Sequence, residues 1–118
     1  MESVNKSLGA SVFLTTFGNY PINRVLDFLV VFSDFDYSIA DIARKSGVGY
    51  STLKLLIHDL AKRKMVVPSR TVGRAKLFRL NRENLTVKRF VQFYWDITNR
   101  KIEQEHAPSG KKAPRMVA

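Results

Sequence analysis

The chain has 118 residues, no cysteine and a formal net charge of +10. A single domain of that length buries roughly 65% of its unfolded surface and needs no cross-links. The lack of cysteine excludes disulfides and thiolate metal sites and fits a cytoplasmic setting. The longest apolar run is Phe28 to Phe32, too short for a membrane span or a signal peptide.

Residues 1–17 read as an extension. Val12, Phe13, Leu14 and Phe17 are too apolar for a free tail, so part of 8–17 is expected to pack as a short helix, with 1–6 loose. Pro21 suits the first turn of a helix, where its missing N–H costs nothing. Ile22, Val25, Leu26, Leu29 and Phe32 recur at helical spacing, which predicts a first core helix over about 21–32. Phe28 and Val31 add a second apolar flank, so cover on two sides is expected. The stretch SDFDY, residues 33–37, reads as a turn.

Residues 38–64 form the stretch around which the rest is organised. Ser38 is a candidate cap, and Asp41 three residues on favours the exposed amides of a helix start. A helix over about 39–45 is followed by Gly47-Val48-Gly49. A glycine just past a helix supplies the left-handed backbone that ends it. Leu53, Leu56, Ile57 and Leu60 then mark the buried face of a second helix over about 50–64. With that face inward, Ser51, Leu55, His58 and Lys62 point outward, flanked by Thr52, Lys54 and Asp59. Small Ala43, the turn at Gly47 and the plug at Leu53 together describe a helix-turn-helix.

From Met65 the period changes. Val66 and Val67, then Leu77, Phe78 and Leu80, flank a turn at Thr71 to Arg74 and predict a β-hairpin. Pro68 cannot donate to a ladder and must sit at an edge. Asn84 can cap a last helix over about 85–105, roughly 30 Å long. Its polar residues Lys88, Gln92, Asp96, Asn99, Arg100 and Glu103 occupy an arc of about 120°. The remaining arc, with Val87, Phe90, Val91, Phe93, Tyr94, Trp95 and Ile97, is wider than one packing contact requires. Either a second subunit takes the further side, or the first core helix and the N-terminal segment cover both. The first alternative makes 84–105 a dimerisation helix, with Val91, Tyr94, Trp95 and Ile102 at the contact. The Pro- and Gly-containing basic end, 106–118, reads as a disordered tail.

Charge follows the same map. Residues 1–37 carry two basic and four acidic side chains, whereas 38–89 carry thirteen basic and three acidic. A positive field concentrated on a helix-turn-helix and its hairpin attracts polyanions through counterion release.

The order of helix, helix-turn-helix and basic hairpin resembles that of archaeal winged helix-turn-helix transcriptional regulators. The blocks FGNYPINRVLDFL, SIADIARKSGVGYSTLKLLIHDLAKRKMVVPSR and VGRAKLFRLNREN carry the resemblance, over about residues 17–100. It implies a mainly α, α+β fold: a three-helix core with a β-hairpin wing over 18–83, then a long C-terminal helix. It also implies a homodimer on double-stranded DNA, with 50–64 as the recognition helix in the major groove. The wing tip, 71–74, would reach the backbone or minor groove. By residue type, Lys54, Lys62, Arg70, Arg74 and Lys76 suit phosphates, while Tyr50, Ser51, Thr52, Leu55 and His58 suit base edges or sugars. Gly49 departs from the pattern, standing where many relatives carry a Ser or Thr cap.

Enzymatic readings find little support. His58 and His106 are the two histidines, neither beside a ligand cluster, and no Gly-rich phosphate loop follows a strand. No catalytic residue, metal, cofactor or small-molecule effector is expected. Two other readings stay open at this level: a winged-helix protein-interaction module of a replication, repair or transcription complex, and an architectural DNA-binding protein.

Overall fold

Ser38 and Asn84 start helices because each offers a side-chain oxygen to amides that have no partner in the first turn. In the structure, a computed structural model describing residues 11–106, Ser38 Oγ accepts from the Asp41 amide at 3.1 Å. Asn84 Oδ1 accepts from the Thr86 amide at 2.8 Å. The expectations for residues 1–10 and 107–118 lie outside the described residues.

The elements in order are α1 (Val12–Phe17), α2 (Pro21–Val31), β1 (Tyr37–Ser38), α3 (Ile39–Ser46), α4 (Tyr50–Lys62), β2 (Val66–Val72), β3 (Ala75–Leu80) and α5 (Leu85–His106). α4 ends two residues short of the expected boundary. Lys64 takes the left-handed conformation (φ 65°), which a helix cannot continue. Its carbonyl accepts from Asn81 Nδ2 at 2.9 Å and Asn84 Nδ2 at 3.0 Å, and the Met65 amide returns to the Leu60 carbonyl at 2.9 Å. Those three bonds over-determine a backbone state that lysine disfavours.

The three strands form an antiparallel sheet in the order β1-β3-β2. β1 is the element that the sequence reading missed. Tyr37, assigned to the turn, pairs with Phe78, and Ser38 pairs with Leu77. Pro68 lies in the edge strand β2, where no ladder bond is lost. The hairpin turn is tighter than expected: Val72 pairs with Ala75, leaving only Gly73 and Arg74. Gly73 adopts φ 62° at the first of those positions, a conformation that matches the twist of the flanking strands.

The core joins all layers. Val25 and Leu29 of α2, Ile42 of α3, Leu53 and Ile57 of α4, Val66 and Leu80 of the sheet and Val87 of α5 are all buried. Each side chain of this kind contributes about 1.5–3 kcal/mol on burial. Leu56 is only half-buried, and Val31, expected on a covered flank, is exposed. Between α1, α2 and α5 the space is filled by rings: Phe13 lies 5.4 Å from Phe90 and 5.7 Å from Tyr94.

Tyr94 requires a correction. Expected at a subunit contact, it is 2% exposed within the single chain. Its hydroxyl donates to Asp27 Oδ1 at 2.6 Å, which ties α5 to α2. It is a core residue. Burial, with the Asp27 carboxylate as a second cause, pushes its phenol well above the ordinary tyrosine range.

Candidate nucleic-acid interface

The joint between α3 and α4 sets the direction of the candidate recognition helix. Gly47 (φ 73°) ends α3 in the left-handed conformation, and its amide and that of Val48 both donate to the Ala43 carbonyl. Buried Ala43 and Leu53 allow the two helices to meet there. Gly49 occupies the cap of α4 and gives no side-chain hydrogen bond.

Arg24, absent from the expected site, holds this joint from α2. Its Nε donates to the Ser46 carbonyl at 3.2 Å and its Nη2 to the Gly47 carbonyl at 3.2 Å. Nη1 donates to the Asn19 carbonyl at 3.1 Å and to Asn19 Oδ1 at 3.2 Å. One guanidinium therefore satisfies carbonyls left over at the end of α3 and fixes the turn to the α1–α2 loop. Replacing it (Arg24→Met) is expected to destabilise the fold by about 1–2 kcal/mol, because the partners are partly solvated carbonyls. A denaturant midpoint equal to wild type would remove this role. No local pattern marks Arg24, since its partners at 46 and 47 lie on a different helix end.

The outward surface of α4 is as the periodicity predicts. Tyr50, Ser51, Thr52, Lys54, Leu55, His58 and Lys62 are all exposed, Leu55 at 71%. At the hairpin, Arg70, Arg74 and Lys76 are exposed too. Ion pairs then divide the cations. Asp41 holds Arg44, Asp59 holds Arg63, Asp36 holds Arg70 and Asp34 holds Arg82. Lys54, Lys62, Arg74 and Lys76 have no ion-pair partner among the described residues. These four keep their full positive field for an incoming anion.

Arg70 is placed otherwise than its residue type implied. Its Nε lies 2.9 Å from Asp36 Oδ2 and its Nη2 3.2 Å from Oδ1, a two-pronged pair. Ser69 Oγ donates to the same carboxylate at 2.5 Å. The hydrogen bonds from Arg70, and after them that from Ser69, hold the Asp36 carboxyl down at about 2. The pair therefore stays charged at any pH near neutral.

On α5, Trp95 and Ile102 are exposed at 40% and 48% and, seven residues apart, follow one stripe with half-buried Val91. Phe93, absent from the expected contact set, is exposed on the opposite flank, where its ring lies 5.8 Å from that of Phe17. Among the described residues, no helix is long and apolar enough to cross a membrane, and no group of three or more His, Cys, Asp or Glu could hold a metal ion.

Three core helices, a helix-turn-helix with a free polar face and a cationic hairpin define the winged helix-turn-helix fold. No protein-family model matches the chain, and no curated protein matches its sequence. Solved structures do. One is the homodimeric winged helix-turn-helix DNA-binding domain of a possible ArsR-family transcriptional regulator from Mycobacterium bovis. It is 18% identical with a TM-score of 0.55, and the match covers 75% of this chain and 76% of that one. ZitR from Lactococcus lactis, in complex with DNA, is 14% identical with a TM-score of 0.52, over 70% of this chain and 57% of ZitR. A MarR family transcriptional regulator from Silicibacter pomeroyi is 17% identical with a TM-score of 0.52, over 90% of this chain and 69% of the regulator. At these identities the likeness is one of fold.

Proposed function

We propose that this protein is a transcriptional regulator that binds double-stranded DNA with some sequence preference and acts by binding alone, in the cytoplasm. One observation carries the reading: Lys54, Lys62, Arg74 and Lys76 are all exposed on α4 and the hairpin, and none has an ion-pair partner among the described residues. Those four set affinity through phosphates, and Tyr50, Ser51, Thr52, Leu55 and His58 meet base edges or sugars. Leu55, the most exposed apolar residue of α4, suits a thymine methyl group. Two solved structures of this fold, one homodimeric and one bound to DNA, support the reading. Within the class, the blocks around α2 and the hairpin resemble the archaeal regulators.

A homodimer completes the proposal. The apolar stripe of Val91, Trp95 and Ile102 runs along α5 with Val91 half-buried and with Trp95 40% and Ile102 48% exposed. Two copies joined there present two recognition helices to successive half-sites. Selection of bound sequences from a random duplex pool, with the particle mass measured in solution, tests both parts. The expected outcome is a palindromic consensus and a doubled mass. Enrichment of no sequence at all would point to an architectural protein. Failure to retain duplex at moderate salt would point to a protein-interaction module.

A further inference from the structure

The Asp36–Arg70 pair lies across the sheet. Asp36 precedes β1, Arg70 belongs to β2, and these are the two edge strands on either side of β3. The register explains how the two meet. Pro68 is opposite Phe78 and Arg70 is opposite Leu77, so Ser69 is an extra residue in the ladder. A bulge of this kind re-aims the side chains that follow it. Here it leaves Arg70 in one row with Leu77 and Ser38, and Ser69 Oγ and Arg70 share the Asp36 carboxylate.

What the bond connects matters more than its own strength, because exposed ion pairs contribute little to global stability. On one side, Asp36 is two residues before Ser38, the cap of α3 and thus the start of the helix-turn-helix. On the other, Arg70 is four residues before Arg74 at the hairpin tip. β2 is an edge strand interrupted at Ser69, so beyond the bulge only β3 braces it through the ladder. The three-residue bond is a second brace, running from the middle of β2, below the wing tip, to the body that carries α4.

We propose that Arg70 is a positioning residue rather than a phosphate contact: held by Asp36 and Ser69, it fixes the wing so that Arg74 and Lys76 meet the duplex while α4 is seated. The inference rests on the DNA-binding reading above. The two ideas about Arg70 predict opposite signs for one substitution. Asp36→Asn removes a negative charge near the interface and releases Arg70. If Arg70 were a phosphate contact held back by Asp36, affinity would rise and the slope of log affinity against log salt would steepen by about 0.9. If the pair positions the wing, affinity falls despite the more favourable charge.

The experiment titrates the full chain against a mixed-sequence duplex over a range of salt, with thermal unfolding recorded for each variant. Asp36→Asn is expected to weaken binding about five- to tenfold, a size typical of residues coupled through one network. The exchanged pair, Asp36→Arg with Arg70→Asp, is expected to recover most of that loss. In an Arg74→Ala, Lys76→Ala background, Asp36→Asn is expected to have little further effect, since its route to the DNA is gone. A merely destabilised fold would give neither the recovery nor the dependence on Arg74 and Lys76. Affinity that rises or stays unchanged in Asp36→Asn overturns the proposal. Wild-type protein that does not bind the duplex overturns the DNA-binding reading itself and takes this inference with it. Weak binding by the variant beside a tightly binding wild type leaves that reading in place.

Discussion

Reversing two charges together, Lys54→Glu with Arg74→Glu, is expected to weaken duplex binding about a hundredfold while leaving the fold intact. Position and freedom set the size of the effect. Lys54 is on the exposed face of α4 and Arg74 at the hairpin tip, and neither has an ion-pair partner among the described residues. Removing either contact forfeits the counterions it would release, and the introduced carboxylates repel the backbone as well. The loss should be nearly uniform across sequences, because phosphates carry no base information. The salt slope should become shallower by about two contacts' worth, roughly 1.8. Stability should change by no more than about 0.5 kcal/mol, as both side chains are solvated and unpaired. Filter or anisotropy titrations at several salt concentrations provide the check. Unchanged affinity would remove the α4 face and the wing from the interface.

The exposure of that pair was legible in the sequence, and the reasons are local. Helix periodicity turned Leu53, Ile57 and Leu60 inward and so turned Lys54 outward. Ser38, Gly47 and Asn84 each act on backbone within a few residues of themselves, so residue type alone marked the ends of α3 and the start of α5. What escaped the reading depends on distance along the chain. β1 has two residues, too few to alternate visibly, and it exists because β3 offers a free edge beside it. Arg24 acts on carbonyls at 46 and 47, and Arg70 on a carboxylate at 36. Residue type named Arg70 a phosphate ligand because an exposed arginine beside a turn is usually free. Only the register of three strands, with a bulge at Ser69, shows which carboxylate it reaches.

The same limit explains Tyr94, and it leads to a second large effect. Tyr94 and Trp95 are neighbours on a helix whose apolar arc is wide, so periodicity does not say which of them its own domain takes. The fold buries Tyr94 and leaves Trp95 at 40% exposure. Tyr94→Phe keeps the ring but strips Asp27 of its 2.6 Å donor in a partly buried setting. The expected cost is about 1.5–3 kcal/mol, the range for hydrogen bonds to a charged group. It should appear in the denaturant midpoint of the chain whatever the protein concentration. Trp95→Ala should behave the opposite way, with a smaller change in the midpoint at high dilution and a loss of the doubled mass if the stripe joins two copies.

Alkali separates the two further. Burial raises the Tyr94 phenol, so the folded chain keeps a proton that the unfolded chain sheds above about pH 10. The stabilisation is complete below that value and is lost as pH climbs towards the raised value of the folded state. The stability of wild type should therefore fall more steeply with rising pH than that of Tyr94→Phe, which lacks the group. Parallel profiles, together with an unchanged midpoint, would mean that Tyr94 does not hold α5 to α2. The terminal helix would then rest on the core through buried Val87 and the Phe13–Phe90 ring contact, and a dimer built on it would take the spacing of its two recognition helices from those contacts instead.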